Sequence, residues 1–169
     1  VFEDAADLPN LGAILAQSAF ANTGQICVAK TRLLVHENIK EHILALIQEE
    51  TKNIFSIGNP LDEQTTLGPI ASHRQFKRVT DYLELGRQEG ADLQILDTAG
   101  AMPSSRRGTS GYFMQPALFD NVKNTMRIAQ EEIFGPVLSV ISFKTDKEAI
   151  QLANAVSYGL AATAWTEDL

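Results

Sequence analysis

Cysteine is almost absent from this chain, since Cys27 is the only one in 169 residues. A single cysteine excludes a disulfide framework within the chain and a zinc site built from several thiolates. Basic residues are also scarce, because 14 lysines and arginines stand against 21 acidic residues and give a formal net charge of −7. Nucleic-acid surfaces need clustered basic side chains, so this balance argues against one. The densest basic stretch, SSRRG at 104–108, is interpreted as a solvated loop.

Long apolar runs are missing as well. No stretch approaches the roughly 20 residues that a membrane-spanning helix needs, and the first residues lack the pattern of a signal peptide. We therefore expect no membrane partner, and a single cysteine is compatible with the reducing cytoplasm. Both ends of the chain resemble interior sequence, and the first residue is not methionine. We interpret residues 1–169 as a single domain of a longer polypeptide.

Helical and strand patterns alternate along the chain. The predicted helices cover 8–20, 38–54, 72–88 and 145–156, and the predicted strands cover 31–37, 92–96, 136–143 and 160–166. Asn38, Ser72 and Thr145 are predicted to cap the helices that follow them. Helices that alternate with short apolar strands are typical of α/β proteins with a mostly parallel sheet. The sequence therefore predicts a three-layer α/β/α sandwich.

The stretch FANTGQICVA, residues 20–29, surrounds the single cysteine. A lone cysteine is most often a small buried packing residue. Three features favour a nucleophile instead. Cys27 follows Gly24, which ends the predicted helix, and backbone N–H groups can be free at such a position. Gln25 is a polar residue in the otherwise apolar segment between helix and strand, and Ala29 leaves space beside the sulfur. A neutral thiol is a poor nucleophile, so such a cysteine needs a base, a cation or a helix dipole to activate it.

Other common catalytic motifs are missing. The three histidines form no local motif with the cysteine, and surface or strand-end positions explain them. They are His36, His42 and His73. The glycines of IGNP, LGPI and FGPV each stand close before a proline, which lacks the N–H group that a phosphate cradle uses. We therefore expect no pyrophosphate site in this sequence.

The second unusual stretch is QEEIFGPVLSV, residues 130–140. Glu131 and Glu132 before a turn are usually a solvated pair. However, a Gly-Pro turn restricts the backbone and would hold a carboxylate close to the ring of Phe134. A carboxylate can accept hydrogen bonds from the two hydroxyls of a ribose, and an aromatic edge can pack on a flat heterocycle. This pairing suits a nucleotide sugar beside its base.

Together the two stretches resemble the aldehyde dehydrogenase superfamily. FANTGQICVA is similar to the family's cysteine signature, in which an aromatic residue precedes Gly-Gln-x-Cys. EEIFGPV is similar to its second hallmark, about a hundred residues further on. NPLDEQTTLGPI, QFKRVTDYL, GYFMQPALFDNV and AIQLANAVSYGLAATAWTEDL agree with the same family, so the resemblance covers essentially the whole chain.

The resemblance implies oxidation of an aldehyde to a carboxylic acid with NAD or NADP as cofactor. Cys27 would be the catalytic nucleophile that forms a thiohemiacetal and then a thioester, with its own backbone N–H in the oxyanion hole. Glu132 would bind the nicotinamide ribose, and Phe134 would pack beside the nicotinamide. Gln75 lies on a helix that also approaches the cofactor in the family. No metal site is implied.

Several parts of the family's machinery would lie outside this sequence. The general-base glutamate, the oxyanion-hole asparagine and the pyrophosphate site would precede Val1, and the oligomerisation segment would follow the last residue. The resemblance therefore implies most of a catalytic domain, inactive by itself, from a homo-oligomeric enzyme (dimer or tetramer). Two alternatives stay open: an acylating relative that passes the thioester to coenzyme A, and a non-catalytic structural relative. The presence of both Cys27 and Glu132 argues against the second.

Overall fold

Helices cover both faces of one central sheet in the computed structural model, which describes residues 1–5, 7–100 and 111–168. Within these ranges the strands are β1 (Arg32–His36), β2 (Ser56–Ile57), β3 (Asp92–Ile95), β4 (Ala99–Gly100), β5 (Ala117–Asp120) and β6 (Val137–Phe143). The helices are α1 (Leu11–Phe20), α2 (Lys40–Ile54), α3 (His73–Glu89), α4 (Arg127–Gln130) and α5 (Asp146–Asn154). The stretch SSRRG lies outside the described residues.

The central sheet has the strand order β1-β6-β5-β3. The first three of these strands run parallel, and β3 pairs with β5 in the antiparallel direction at one edge. The short strands β2 and β4 pair with each other in parallel, away from this sheet. The predicted α/β/α sandwich with a mostly parallel sheet is confirmed.

The central strands are buried on both faces, which explains why they read as continuous apolar runs rather than alternating ones. On β5, Leu118 belongs to the core that α1 and α2 form, while its neighbour Phe119 belongs to the core under α3. On β6, Leu138 belongs to the first of these cores and Val137 to the second. Successive side chains of a strand point to opposite faces, so one apolar strand supports both helical layers.

Two of the three predicted helix caps are present. Ser72 Oγ accepts a hydrogen bond from the backbone N–H of Gln75 at the start of α3, and Thr145 Oγ1 accepts one from Glu148 at the start of α5. The predicted cap at Asn38 is wrong. A short 3₁₀ turn, Glu37–Ile39, precedes α2, and the backbone N–H of Asn38 donates to His36 Nδ1. Residues before the helix therefore satisfy this amide.

The predicted strand at 160–166 is also wrong. Within the described residues this segment forms one backbone hydrogen bond, from the N–H of Phe2 to the carbonyl of Trp165. A strand needs a repeated ladder, and most side chains of the segment are exposed, Leu160 to 66%. At the other end of the chain, Val1 lies along β1 and exchanges hydrogen bonds with Leu34 and His36. No helix in the described ranges has the length and apolar character needed to span a membrane.

Candidate active site

Both stretches that the sequence analysis singled out lead into neighbouring strands. Residues 20–31 precede β1 and residues 131–136 precede β6. These strands pair in parallel, with Arg32 opposite Ser139. Neighbouring parallel strands begin at the same edge of a sheet, so the two preceding loops lie side by side. The topology therefore brings Cys27 and Glu132 to the end of the sheet where β1 and β6 begin, although about a hundred residues separate them along the chain.

The two loops touch through their backbones at Gly24. Asn22, Thr23 and Gly24 have positive φ angles of 51°, 58° and 67°, a left-handed conformation that a glycine adopts without strain. A side chain at Gly24 would overlap the carbonyl of Gly135. Thr23 is strained in this conformation, and its buried hydroxyl donates to the carbonyl of Gly68 at 3.0 Å. Gly24 thus allows the cysteine loop and the Gly-Pro turn to pack backbone on backbone.

Gln25 fixes the cysteine loop to the segment before α3. Its Oε1 accepts a hydrogen bond of 2.9 Å from the backbone N–H of Ala71, and its backbone carbonyl accepts one from Asn22 Nδ2. The side chain that stood out as polar in the sequence therefore anchors the loop. Its Nε2 donates to the carbonyl of Asn22 at 3.4 Å, so both ends of the side-chain amide are engaged within the protein and Gln25 positions the residues that follow it.

Cys27 lies in an exposed turn, so the interpretation as a buried packing residue is wrong. Among the described residues, no acceptor takes a hydrogen bond from the backbone N–H of Cys27 or Val28. The cysteine lines a cleft of about 680 Å³ together with Glu132, Ile133 and the half-exposed Val28. None of the three histidines lines this cleft beside Cys27. Free amides beside a thiol suit a developing oxyanion.

The Gly-Pro turn presents Glu132 and Phe134 to solvent. Phe134 has a φ of 59°, a backbone conformation that is costly for an aromatic residue, and its side chain is 37% exposed. Strain of this kind is concentrated at functional sites. Glu132 borders the cleft of Cys27 and also a second groove of about 970 Å³ along α3. Phe134 lines only the second groove. The structure therefore places Glu132 between Cys27 and Phe134.

Side chains of α3 hold this turn in place. Gln75 Nε2 donates to the carbonyls of Ile133 and Phe134 at 3.0 and 2.8 Å, and Arg78 Nη2 donates to the carbonyl of Glu132. The family resemblance connects Gln75 with this site but not Arg78. The spacing of three residues puts both on one face of the helix, which was a readable signal once the turn was suspected.

Glu131, the neighbour of Glu132, is fully engaged with other side chains. Arg127 donates to its two oxygens at 2.7 and 3.0 Å, and the Tyr82 hydroxyl donates at 2.6 Å. These bonds, first from Arg127 and then from Tyr82, lower the pKa of Glu131 to about 2. Burial of Tyr82, and then its bond to Glu131, raises the pKa of that phenol. The two glutamates therefore differ, because Glu131 is bound by side chains whereas the Glu132 carboxylate has no partner among the described residues.

An exposed cysteine whose neighbouring amides bind no described acceptor has features of the enzymes that use a thiol as nucleophile. The sequence pattern of the aldehyde dehydrogenase family matches residues 1–169. The chain belongs to this family.

Individual relatives agree with the family match. A betaine aldehyde dehydrogenase of Mesorhizobium japonicum is 44% identical over 171 residues, which cover 100% of this chain and 34% of that protein. An alpha-ketoglutaric semialdehyde dehydrogenase of Bacillus subtilis is 41% identical over 169 residues and is also covered to 34%. A solved mutant of P. syringae indole-3-acetaldehyde dehydrogenase, in complex with NAD+ and IAA, superposes with a TM-score of 0.88 at 41% identity. That superposition covers 99% of this chain and 33% of the other, so this chain spans about a third of its relatives' length.

Proposed function

We propose that residues 1–169 are the cysteine-bearing catalytic part of an enzyme that oxidises an aldehyde to a carboxylic acid with NAD or NADP. The observation that carries this proposal is the cleft that Cys27 and Glu132 both line, on two loops that touch at Gly24. The general base and the cofactor-binding domain would belong to the remaining two-thirds of the length found in relatives. NAD+ is the cofactor in the solved complex of the P. syringae relative.

Cys27 performs the covalent chemistry in this proposal. Its sulfur forms a bond to the carbonyl carbon of the aldehyde, and the electron pair of the C=O bond moves to the oxygen. The free N–H of Cys27 stabilises that oxygen as charge develops on it. Bound nicotinamide dinucleotide supplies the hydride acceptor for the oxidation. The same sulfur then carries the acyl group as a thioester, and hydrolysis releases the carboxylic acid and restores the thiol.

The residues of the Gly-Pro turn fit the nicotinamide end of the cofactor. The Glu132 carboxylate makes no hydrogen bond or ion pair with any described residue, so its oxygens are available to two ribose hydroxyls. The exposed ring of Phe134 offers an apolar surface beside it. Because α3 already holds the carbonyls of the turn, the carboxylate is the polar group that remains for a ligand.

The surroundings of the site support two further parts of the proposal. A single cysteine with no partner for a disulfide in this sequence suits a reducing compartment, so we place the enzyme in the cytoplasm. Exposed apolar side chains, among them Ile150, Tyr158 and Leu160, suit burial against other parts of a larger homo-oligomeric enzyme.

Substitution of Cys27 tests the proposal in the longer enzyme that carries this chain. Cys27→Ala should abolish aldehyde oxidation and leave thermal unfolding unchanged, because the side chain is exposed. Glu49→Gln, at an exposed carboxylate on α2 outside the cleft and the second groove, is the matched surface control and should retain full turnover. Turnover above a few percent in Cys27→Ala would contradict the proposal. Analysis of the product separates a carboxylic acid from an acyl-coenzyme A, which is the outcome that an acylating enzyme predicts.

A further inference from the structure

The turn that presents Glu132 is anchored on both sides of that residue. We propose that Arg78, Tyr82, Glu131 and Arg127 form a positioning network that sets the direction of the Glu132 carboxylate and so the affinity for the nicotinamide cofactor. The inference rests on the proposed role of Glu132. Arg78, Tyr82 and Arg127 line the same groove as Glu132 and Phe134, so the test has to separate an effect that passes through Glu132 from direct contact with the cofactor.

The turn makes little use of its own backbone: the N–H of Val137 donates to the carbonyl of Gly135 at 2.8 Å, but no described backbone group donates to the carbonyls of residues 132–134. Phe134 is in the left-handed region, and Pro136 has no N–H to donate. The carbonyls of residues 132, 133 and 134 are instead bound by side chains of α3, with Arg78 on the first and Gln75 on the other two. A carbonyl held by a charged or amide donor fixes the peptide plane and the Cα–Cβ direction beside it. The orientation of Glu132 therefore depends on α3.

The second anchor is the side chain of Glu131. Tyr82 is only 7% exposed, and a buried hydroxyl of this kind needs a hydrogen-bond acceptor. Glu131 supplies that acceptor, and it also accepts hydrogen bonds from Nε and Nη2 of Arg127. The guanidinium of Arg78 lies 5.0 Å from the centre of the Tyr82 ring, with Nη2 3.3 Å from its hydroxyl. Arg78 thus joins the anchor on Glu131 to the anchor on the carbonyl of Glu132.

A solvated surface pair is the simpler interpretation of Glu131 and Arg127. Exposed ion pairs four residues apart on a helix contribute little to stability, and 59% of the Arg127 side chain is exposed. That interpretation does not account for the buried Tyr82 hydroxyl or for the carbonyl of Glu132 in the same set of contacts. The two interpretations also differ in outcome. A surface pair affects stability alone, whereas a positioning network changes cofactor affinity only while Glu132 is present.

A double-mutant cycle in the longer enzyme tests this dependence. Tyr82→Phe removes the hydroxyl that donates to Glu131 and accepts from Arg78, whereas Glu131→Gln removes the charge that Arg127 and Tyr82 bind. Both substitutions retain the approximate size of the side chain. Each should weaken NAD+ binding by about tenfold, the value of one charge-assisted hydrogen bond. In the Glu132→Gln background the same changes should have no further effect, because the residue through which they act is already lost. Glu49→Gln on α2, at an exposed carboxylate outside both grooves, is the carboxylate-to-amide control and should leave the dissociation constant unchanged.

Each outcome has a distinct meaning. If Glu132→Gln by itself leaves NAD+ binding unchanged, the proposed role of Glu132 is wrong and this inference falls with it. If Glu132→Gln weakens binding but Tyr82→Phe and Glu131→Gln do not, only the positioning network is wrong. Equal losses with and without Glu132 would also overturn it, because additivity indicates a general structural effect. Should Tyr82→Phe fail to fold, Glu131→Gln, at a partly exposed side chain, carries the test.

Discussion

Replacement of Gly24 by alanine is the sharpest probe of the contact that joins the two loops. The new Cβ would overlap the carbonyl of Gly135 and come within 2.7 Å of the backbone nitrogen of Pro136. Backbone atoms cannot move aside as a flexible side chain can, so one loop must shift against the other. The prediction is a loss of stability together with a changed environment at Cys27, three residues further along.

The magnitude has two parts. Alanine at a φ of 67° costs about 1–2 kcal/mol from the left-handed conformation itself. Overpacking against a fixed neighbour adds about 1–3 kcal/mol. Gly90→Ala is the matched control, because Gly90 has a φ of 90° but no atom within 4 Å of its hypothetical Cβ. Gly90→Ala should therefore show the conformational cost without the overlap.

Urea unfolding of the 169-residue chain, followed by circular dichroism, measures both variants under the same conditions. Gly24→Ala should lose at least about 1 kcal/mol more of its unfolding free energy than Gly90→Ala. The rate at which a thiol reagent labels Cys27 should change in Gly24→Ala and stay constant in Gly90→Ala. Equal losses in the two variants would show that the loops do not pack backbone on backbone, and the reasoning about the site would fail.

Three further outcomes follow from individual contacts. Arg127 and Tyr82 lower the pKa of Glu131 from 4.5 to about 2, so this carboxylate stabilises the fold above pH 4.5 and loses that effect as the pH falls toward 2. In Glu131→Gln the unfolding free energy measured with urea should therefore depend less on pH between 4.5 and 2, and an unchanged pH dependence would contradict the prediction. Ser72→Ala should lower the unfolding free energy by about 1 kcal/mol through loss of the α3 cap, and a change near zero would argue against that cap. Calorimetric titration of the 169-residue chain with NAD+ should show binding no tighter than about millimolar, roughly −4 kcal/mol. Micromolar binding would show that the chain binds more of the cofactor than its nicotinamide end.

Local patterns in the sequence predicted much of the fold. The apolar run at 136–143 became β6, and Ser72 and Thr145 cap the helices that follow them. These features depend on residues a few positions apart, so periodicity and capping rules capture them. The predicted strand at 160–166 failed because strand formation requires a partner, which no local pattern specifies.

The site itself depends on contacts between distant residues. Cys27 and Glu132 were singled out by type and by family resemblance, but their common cleft follows from the pairing of β1 with β6. The site also lies at the amino ends of these strands, whereas ligands of open α/β sheets usually bind at the carboxyl ends. Arg78 and Tyr82 were missed because their partners lie about fifty residues away along the chain. Sequence spacing gives no distance between such groups.

Detection of the acyl group on Cys27 tests the central claim most directly. The longer enzyme would be mixed with aldehyde and NAD+, quenched in acid within the first turnover, digested, and analysed by mass spectrometry. The account predicts a peptide containing Cys27 that is heavier by the acyl group of the aldehyde, and hydroxylamine should remove this addition, as expected of a thioester. Formation of carboxylic acid with no acyl group on Cys27 at any quench time would contradict the assignment of Cys27 as the nucleophile.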